Sequence, residues 1–181
     1  MNFMLRISAL GILIATLSAC SPRYTPFTQD LYDQYRWKES ELKRIQFYLS
    51  GDIILRRELG NTDVQISGGS IRVKDGRRTE EIVVRQGTPG VFLFSPKENR
   101  FAISFEDGNN DHYLMFGPNP RQNNRYALLG SDWDREGGSV TYDGKTYQVD
   151  ASGAFSHLLV NLKRARRLEV NSRVAGGRKI R

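Results

Sequence analysis

The sequence predicts a mainly β protein, an antiparallel β-barrel or β-sandwich with one N-terminal helix. Three observations point there. Short apolar segments alternate with polar residues at period two; Gly, Pro, Asn and Asp punctuate them at close intervals; and the spacers are too short for crossover helices, so neighbouring strands must pair as hairpins.

Taken in order, residues 20–27 contain Pro22 and Pro26 and read as a tether. A helix is predicted over 28–44, with Thr28 as its cap, Asp30 in its first turn and Leu31, Tyr32, Tyr35 and Leu42 as its apolar side. The period then drops to two. Ile45, Phe47 and Leu49 alternate with polar neighbours, Ser50-Gly51 interrupts, and Ile53-Ile54-Leu55 resumes, as in one long strand with a bulge or bend. Further strands are predicted at Val64 and Ile66, Ile71 and Val73, Ile82 and Val84, Val91 to Phe94, Phe101 to Phe105, and Tyr113 to Phe116. Gly117 to Gly137 reads as a long loop with one short strand at Tyr126 to Leu129. Val140 and Tyr142, the turn Asp143-Gly144, then Tyr147 and Val149 make the clearest hairpin. Leu158, Val160, Leu162, Leu168 and Val170 fit two strands joined by a basic turn, favoured by β-branched Val160, Val170 and Val174. The same stretch also fits a helix, because Leu158, Leu162, Ala165 and Leu168 share one face.

Charge is unevenly placed. The chain of 181 residues has a net charge of +7, but its last nineteen residues hold eight bases against one acid. The stretch from Cys20 to Leu162 is near neutral, so the high pI belongs to the C-terminal segment. That makes Lys163, Arg164, Arg166 and Arg167 the candidate anion- or partner-binding residues, with 176–181 read as a basic tail.

The N-terminus carries an address. Arg6 is followed by an apolar run, Ile7 to Leu17, long enough for a signal core and too short to span a bilayer. Small Ser18 and Ala19 then precede Cys20, the one cysteine in the chain. Leu17-Ser18-Ala19-Cys20 resembles the lipobox of bacterial lipoproteins. The resemblance implies removal of residues 1–19, a diacylglyceryl thioether on Cys20 and an added acyl chain; two or more such chains anchor stably where one does not. Ser21 after the cysteine implies, by the enterobacterial sorting pattern, an outer-membrane destination facing the periplasm. The remaining 162 residues suit a single domain, read as 28–175, in which no cysteine is left for a disulfide.

No motif carries catalysis. There are two histidines, His112 and His157, and no Gly-x-Ser-x-Gly, so a nucleophile triad has no recognisable frame. Both histidines read as ordinary surface or edge residues. Two histidines without a free thiol do not make a zinc set. Asp107, Asn109 and Asp111 begin like a calcium loop but lack its glycine and its twelfth ligand; Asp132, Asp134, Glu136 and Asp143 come nearer, yet Asp and Gly are turn residues by default. The adjacent pairs Glu80-Glu81 and Glu106-Asp107 point to opposite faces of a strand and cannot converge on one bond. No cofactor is expected. Nucleic acid is excluded as a partner by the export signal.

These readings lead to a non-catalytic, lipid-anchored outer-membrane lipoprotein serving as an accessory or assembly subunit of an envelope complex. Its expected partners are the membrane, through lipidated Cys20, and another envelope protein. The alternative is a periplasmic binding module for an anionic envelope ligand, lipopolysaccharide or peptidoglycan; the third reading is a carboxylate-dependent enzyme using Asp132 and Asp134.

Overall fold

The computed structural model describes residues 24–60, 70–74, 77–108 and 111–168. They form two antiparallel sheets packed as an open sandwich. The strands are β1 (Thr25–Pro26), β2 (Gln46–Leu49), β3 (Ile53–Glu58), β4 (Ser70–Lys74), β5 (Arg77–Val84), β6 (Pro89–Lys97), β7 (Arg100–Ser104), β8 (Leu114–Asn119), β9 (Arg125–Leu128), β10 (Gly137–Tyr142), β11 (Lys145–Asp150) and β12 (Leu158–Val160). The larger sheet runs β1-β12-β2-β6-β7-β8-β9, the smaller β10-β11-β3-β5-β4.

The larger sheet curls without closing into a ladder. At its far edge the Tyr126 N–H donates to the Phe27 carbonyl (2.9 Å) and the Leu128 N–H to the Ser156 carbonyl (3.0 Å), so β9 meets the chain just after β1 and just before β12. These are isolated bridges, Thr28 to Arg125 and Ala127 to His157. Of the two predicted architectures, the sandwich is the one observed.

Phe27 explains the curl. It is fully buried and touches the rings of Tyr32, Trp37, Phe47, Phe101 and Tyr126 at centroid distances of 4.9–6.3 Å. The predicted tether is therefore shorter than 20–27: Thr25 and Pro26 already pair with Val160 and Leu159, and Phe27 belongs to the core. A proline is tolerated there because β1 is an edge strand.

The predicted helix over 28–44 is two helices, α1 (Gln29–Tyr35) and α2 (Glu39–Leu42). Thr28 does cap the first, its Oγ1 accepting from the Leu31 N–H at 3.1 Å. Arg36 ends it in the left-handed region (φ 48°), which turns Trp37 inward to stack on Tyr35 at 4.7 Å. The apolar spacing was imperfect because Trp37 is reached by a break in the helix. Likewise, the predicted single strand through Ser50-Gly51 is a change of sheet: β2 lies in the larger sheet and β3 in the smaller. Burial alternates in β2 and in the first half of β3, as period two requires.

The hairpin at Asp143-Gly144 is observed, with φ of 49° and 67° at the two turn residues and Val140 opposite Tyr147. Gly117 to Gly137 holds more structure than the predicted loop: β8 extends to Asn119, a 3-10 turn spans Pro120–Gln122, and β9 follows. The segment from Leu158 contains both alternatives in succession. β12 covers Leu158–Val160, and a third helix, α3 (Leu162–Leu168), replaces the second strand's start. The predicted strand at Val64 and Ile66, Val170 and Val174, the signal with Cys20 and the tail 176–181 lie outside the described residues.

Candidate anion-binding site

The sequence-predicted basic residues fall at the end of β12. Asn161 links β12 to α3, where Lys163 and Arg164 are exposed, Ala165 is buried, and Arg166 and Arg167 continue the helix. Because Thr25 pairs with Val160, the chain enters the fold beside the place where α3 leaves it. Tyr24 packs on Tyr48 at 4.5 Å. Its phenol is pushed above its ordinary pKa by partial desolvation and by Tyr48, against the pull of Arg164.

The two histidines are not plain surface residues. The His112 side chain is only 18% exposed; Nδ1 lies 2.7 Å from Glu106 Oε2, Nε2 lies 3.7 Å from Asp143, and the ring stacks on Tyr142 at 5.3 Å. Burial, Glu106 and Asp143 together drive the Tyr142 hydroxyl far above its ordinary pKa. His157 Nδ1 lies 2.9 Å from Ser50 Oγ and 3.1 Å from the Phe155 carbonyl. A carbonyl only accepts, which places the proton on Nδ1. Burial, opposed by that carbonyl and assisted by the charge of Arg125, holds His157 below its ordinary pKa. Its partners are a hydroxyl and a carbonyl, not a carboxylate, so the arrangement lacks the third member of a relay.

The carboxylates separate. Asp134 Oδ1 accepts from the N–H groups of Glu136 (2.7 Å) and Gly137 (2.9 Å), which holds its carboxyl below the usual range. This is turn chemistry. Asp132, Asp134 and Glu136 line a cavity of about 510 Å³ together with Arg56 and Asp150, while Asp143 sits elsewhere, with Lys145 (3.5 Å) and His112. Among the described residues no group of three or more His, Cys, Asp or Glu side chains is placed to hold a metal ion. Glu80 and Glu81 diverge as expected, onto Arg57 (3.0 Å) and Arg56 (3.1 Å).

The site that sequence reading missed lies at the other end of β12. Two turns face each other across a cavity of about 600 Å³, a size typical of small-ligand pockets. One wall is the β8–β9 turn. Asn119 caps it, accepting from the Arg121 N–H at 3.0 Å, and Asn123 and Asn124 both take φ of 53°, a conformation Asn tolerates better than most residues. The result is a tight loop that sets Arg121 and Arg125 on either side of its bend. The other wall is the 3-10 turn Gly153–Phe155, where Asp150 Oδ1 accepts from the Gly153 N–H (3.1 Å) and from Ser152 Oγ (2.5 Å). Gly153 is required there, since a Cβ would collide with the Val149 side chain. The turn leaves Phe155 66% exposed, the most exposed large apolar side chain described. Gln122 Nε2 donates to the Ala154 carbonyl at 3.2 Å and ties the walls together; Ser50 and His157 lie between them.

Among the described residues no carboxylate lines this cavity, and neither Arg121 nor Arg125 has one within ion-pair distance. The signal in the sequence was Asn119-Pro120-Arg121-Gln122-Asn123-Asn124-Arg125, whose turn residues were legible but whose opposing wall, thirty residues on, was not. Comparison of the chain with protein-family models, with curated proteins and with solved structures gave no match.

Proposed function

We propose that this protein is a lipid-anchored, non-catalytic outer-membrane lipoprotein that acts as an accessory or assembly subunit of a bacterial envelope complex. The observation that carries the reading is the shared edge of tether and basic helix. Tyr24 stands four residues after Cys20, so an acylated Cys20 lies within about 14 Å of the fold along the chain. β1 pairs with β12, and β12 runs through Asn161 into α3. Lys163 and Arg164 are thereby held near the surface in which the lipid is embedded. An acyl anchor and adjacent bases are two cooperating membrane signals, each base being worth about 1 kcal/mol against anionic headgroups. The folded domain is then oriented on the membrane and offers its remaining surface to a partner.

The test uses the full-length protein made in cells with its own N-terminus. Intact mass of the purified product is expected to show a chain starting at Cys20 with added acyl mass, lost in Cys20→Ser. In-cell cross-linking is expected to give one reproducible protein adduct. An unmodified thiol at Cys20 refutes the anchor; the absence of any reproducible protein neighbour refutes the subunit role.

A further inference from the structure

We propose that the cavity between the β8–β9 turn and the Gly153–Phe155 turn binds an acidic sugar, a glycan unit bearing a carboxylate or a phosphate. Where that sugar comes from, the cell wall or an envelope glycolipid, rests on the envelope reading above; the chemistry of the pocket does not.

The anion requirement follows from charge. Arg121 and Arg125 converge on one cavity with no carboxylate in its lining and no ion-pair partner among the described residues. Arg56 and Arg57, by contrast, have Glu81 and Glu80, in register across β3 and β5. Two unneutralised guanidiniums facing one space create a field that draws an anion, and each offers the planar fork that matches carboxylate or phosphate oxygens.

The sugar requirement follows from the rest of the lining. Asn123 offers an amide and Ser50 a hydroxyl, the groups that exchange hydrogen bonds with sugar hydroxyls. Phe155, a large apolar side chain 66% exposed, stands at the cavity. The apolar C–H face of a pyranose covers such a ring while its hydroxyls remain in reach of the polar wall. A bare inorganic anion would use the arginines and leave Phe155 in water.

The pocket is also distinct from the basic helix. It is built around His157, at the start of β12, whereas α3 follows its end; the four residue steps from His157 to Asn161 along an extended chain span about 13 Å.

Binding is measured by calorimetry on the full-length lipidated protein in detergent, with four probes: N-acetylmuramic acid, N-acetylglucosamine 1-phosphate, N-acetylglucosamine and inorganic phosphate. At least one acidic sugar is expected to bind about tenfold or more tightly than both the neutral sugar and phosphate, and the stronger of the two identifies the acid group. Arg121→Gln, at an exposed turn tip, and Arg125→Gln are each expected to weaken it about tenfold, as is added salt. Phe155→Ala is expected to weaken the acidic sugar and leave phosphate unchanged. Lys43→Gln, exposed and outside the cavity lining, is expected to have no effect. Thermal unfolding of every variant checks the fold, and Arg121→Gln decides alone if Arg125→Gln is unstable. Equal affinity for the neutral sugar, equal affinity for bare phosphate, indifference to Arg121→Gln, or no binding of any probe overturns the proposal. The mass of the same preparation reports the Cys20 lipid independently, so the two readings fail separately.

Discussion

Replacing Glu80 by Ala should be among the most destabilising single changes available outside the aromatic core. Glu80 has no exposed surface, and its Oε2 accepts from Arg57 Nε at 3.2 Å, Arg57 Nη2 at 3.0 Å and the Tyr147 hydroxyl at 3.0 Å. Arg57 is itself only 16% exposed and lies over the Tyr147 ring at 5.9 Å. Removing the carboxylate takes one acceptor from a sheltered guanidinium and a buried phenol, and breaking such a pair costs about 3–5 kcal/mol. For a chain of this size that is a fall in Tm of about 6–20 °C. Glu80→Gln keeps the shape and one acceptor oxygen, so its cost should be smaller, about 1.5–3 kcal/mol, the worth of hydrogen bonds to a charged group. The control is Glu39→Ala, whose partner Lys43 at 3.4 Å is half exposed; an exposed i,i+4 pair is worth about 0.3–0.5 kcal/mol. Thermal unfolding followed by near-ultraviolet circular dichroism reads all three. The combined variant Glu80→Leu with Arg57→Met should be more stable than Glu80→Ala, because it buries no unmatched charge. If Glu80→Ala lies within about 1 kcal/mol of the parent protein, as Glu39→Ala should, the pair does not hold the core face of the smaller sheet and the reasoning fails.

Phe27→Ala should cost about 3–5 kcal/mol in urea unfolding, since the ring is fully buried among five aromatic neighbours and no side chain nearby can fill its volume. Gly137→Ala should cost about 1–3 kcal/mol, because a Cβ would fall on the Val149 carbonyl oxygen and the first pair of the β10–β11 ladder would have to move; hydrogen exchange should show that ladder loosened first. His157 predicts a pH dependence. Its folded pKa is depressed, so between the folded value and the unfolded value of about 6.5 the unfolded chain binds more protons, and stability falls as pH drops through that window and levels off below it. His157→Gln should flatten that part of the slope between about pH 7.5 and 5.5; an unchanged slope would remove His157 as its source.

What was legible in the sequence was local. Period-two alternation located most strands to within a few residues, and Asp143-Gly144 specified its hairpin because two consecutive left-handed residues are what that turn needs. The Thr28 cap was legible for the same reason: the side chain satisfies an N–H three residues away. Illegible features were those decided by distant residues. Arg36 breaks the helix because Trp37 has a place in a cluster assembled from Phe27, β2, β7 and β9. Ser50-Gly51 reads as a bulge until the partners of β2 and β3 are known to lie in different sheets. At Leu158 both templates matched because both are used, with Asn161 as the boundary. Counting charge along the chain singled out the C-terminal bases and passed over the β8–β9 turn. The C-terminal bases stood out by number, whereas Arg121 and Arg125 are two unexceptional arginines that the fold brings to one cavity.

β12 then organises everything proposed for this chain. It is three residues long, yet Leu158 and Val160 are fully buried, and it pairs with β1 on one side and β2 on the other. The entry of the chain and the basic helix meet at its end; the pocket is built at its start, where His157 bridges to Ala127 and hydrogen-bonds Ser50. A strand held on both edges does not bend between those points, so the distance from anchored edge to pocket is fixed by the fold rather than by a linker. A domain moored at Cys20 would therefore carry its arginine-lined cavity no farther from the lipid than that distance plus the reach of about 14 Å from Cys20 to Tyr24. That geometry favours a ligand presented at a defined depth of the envelope over one that diffuses freely.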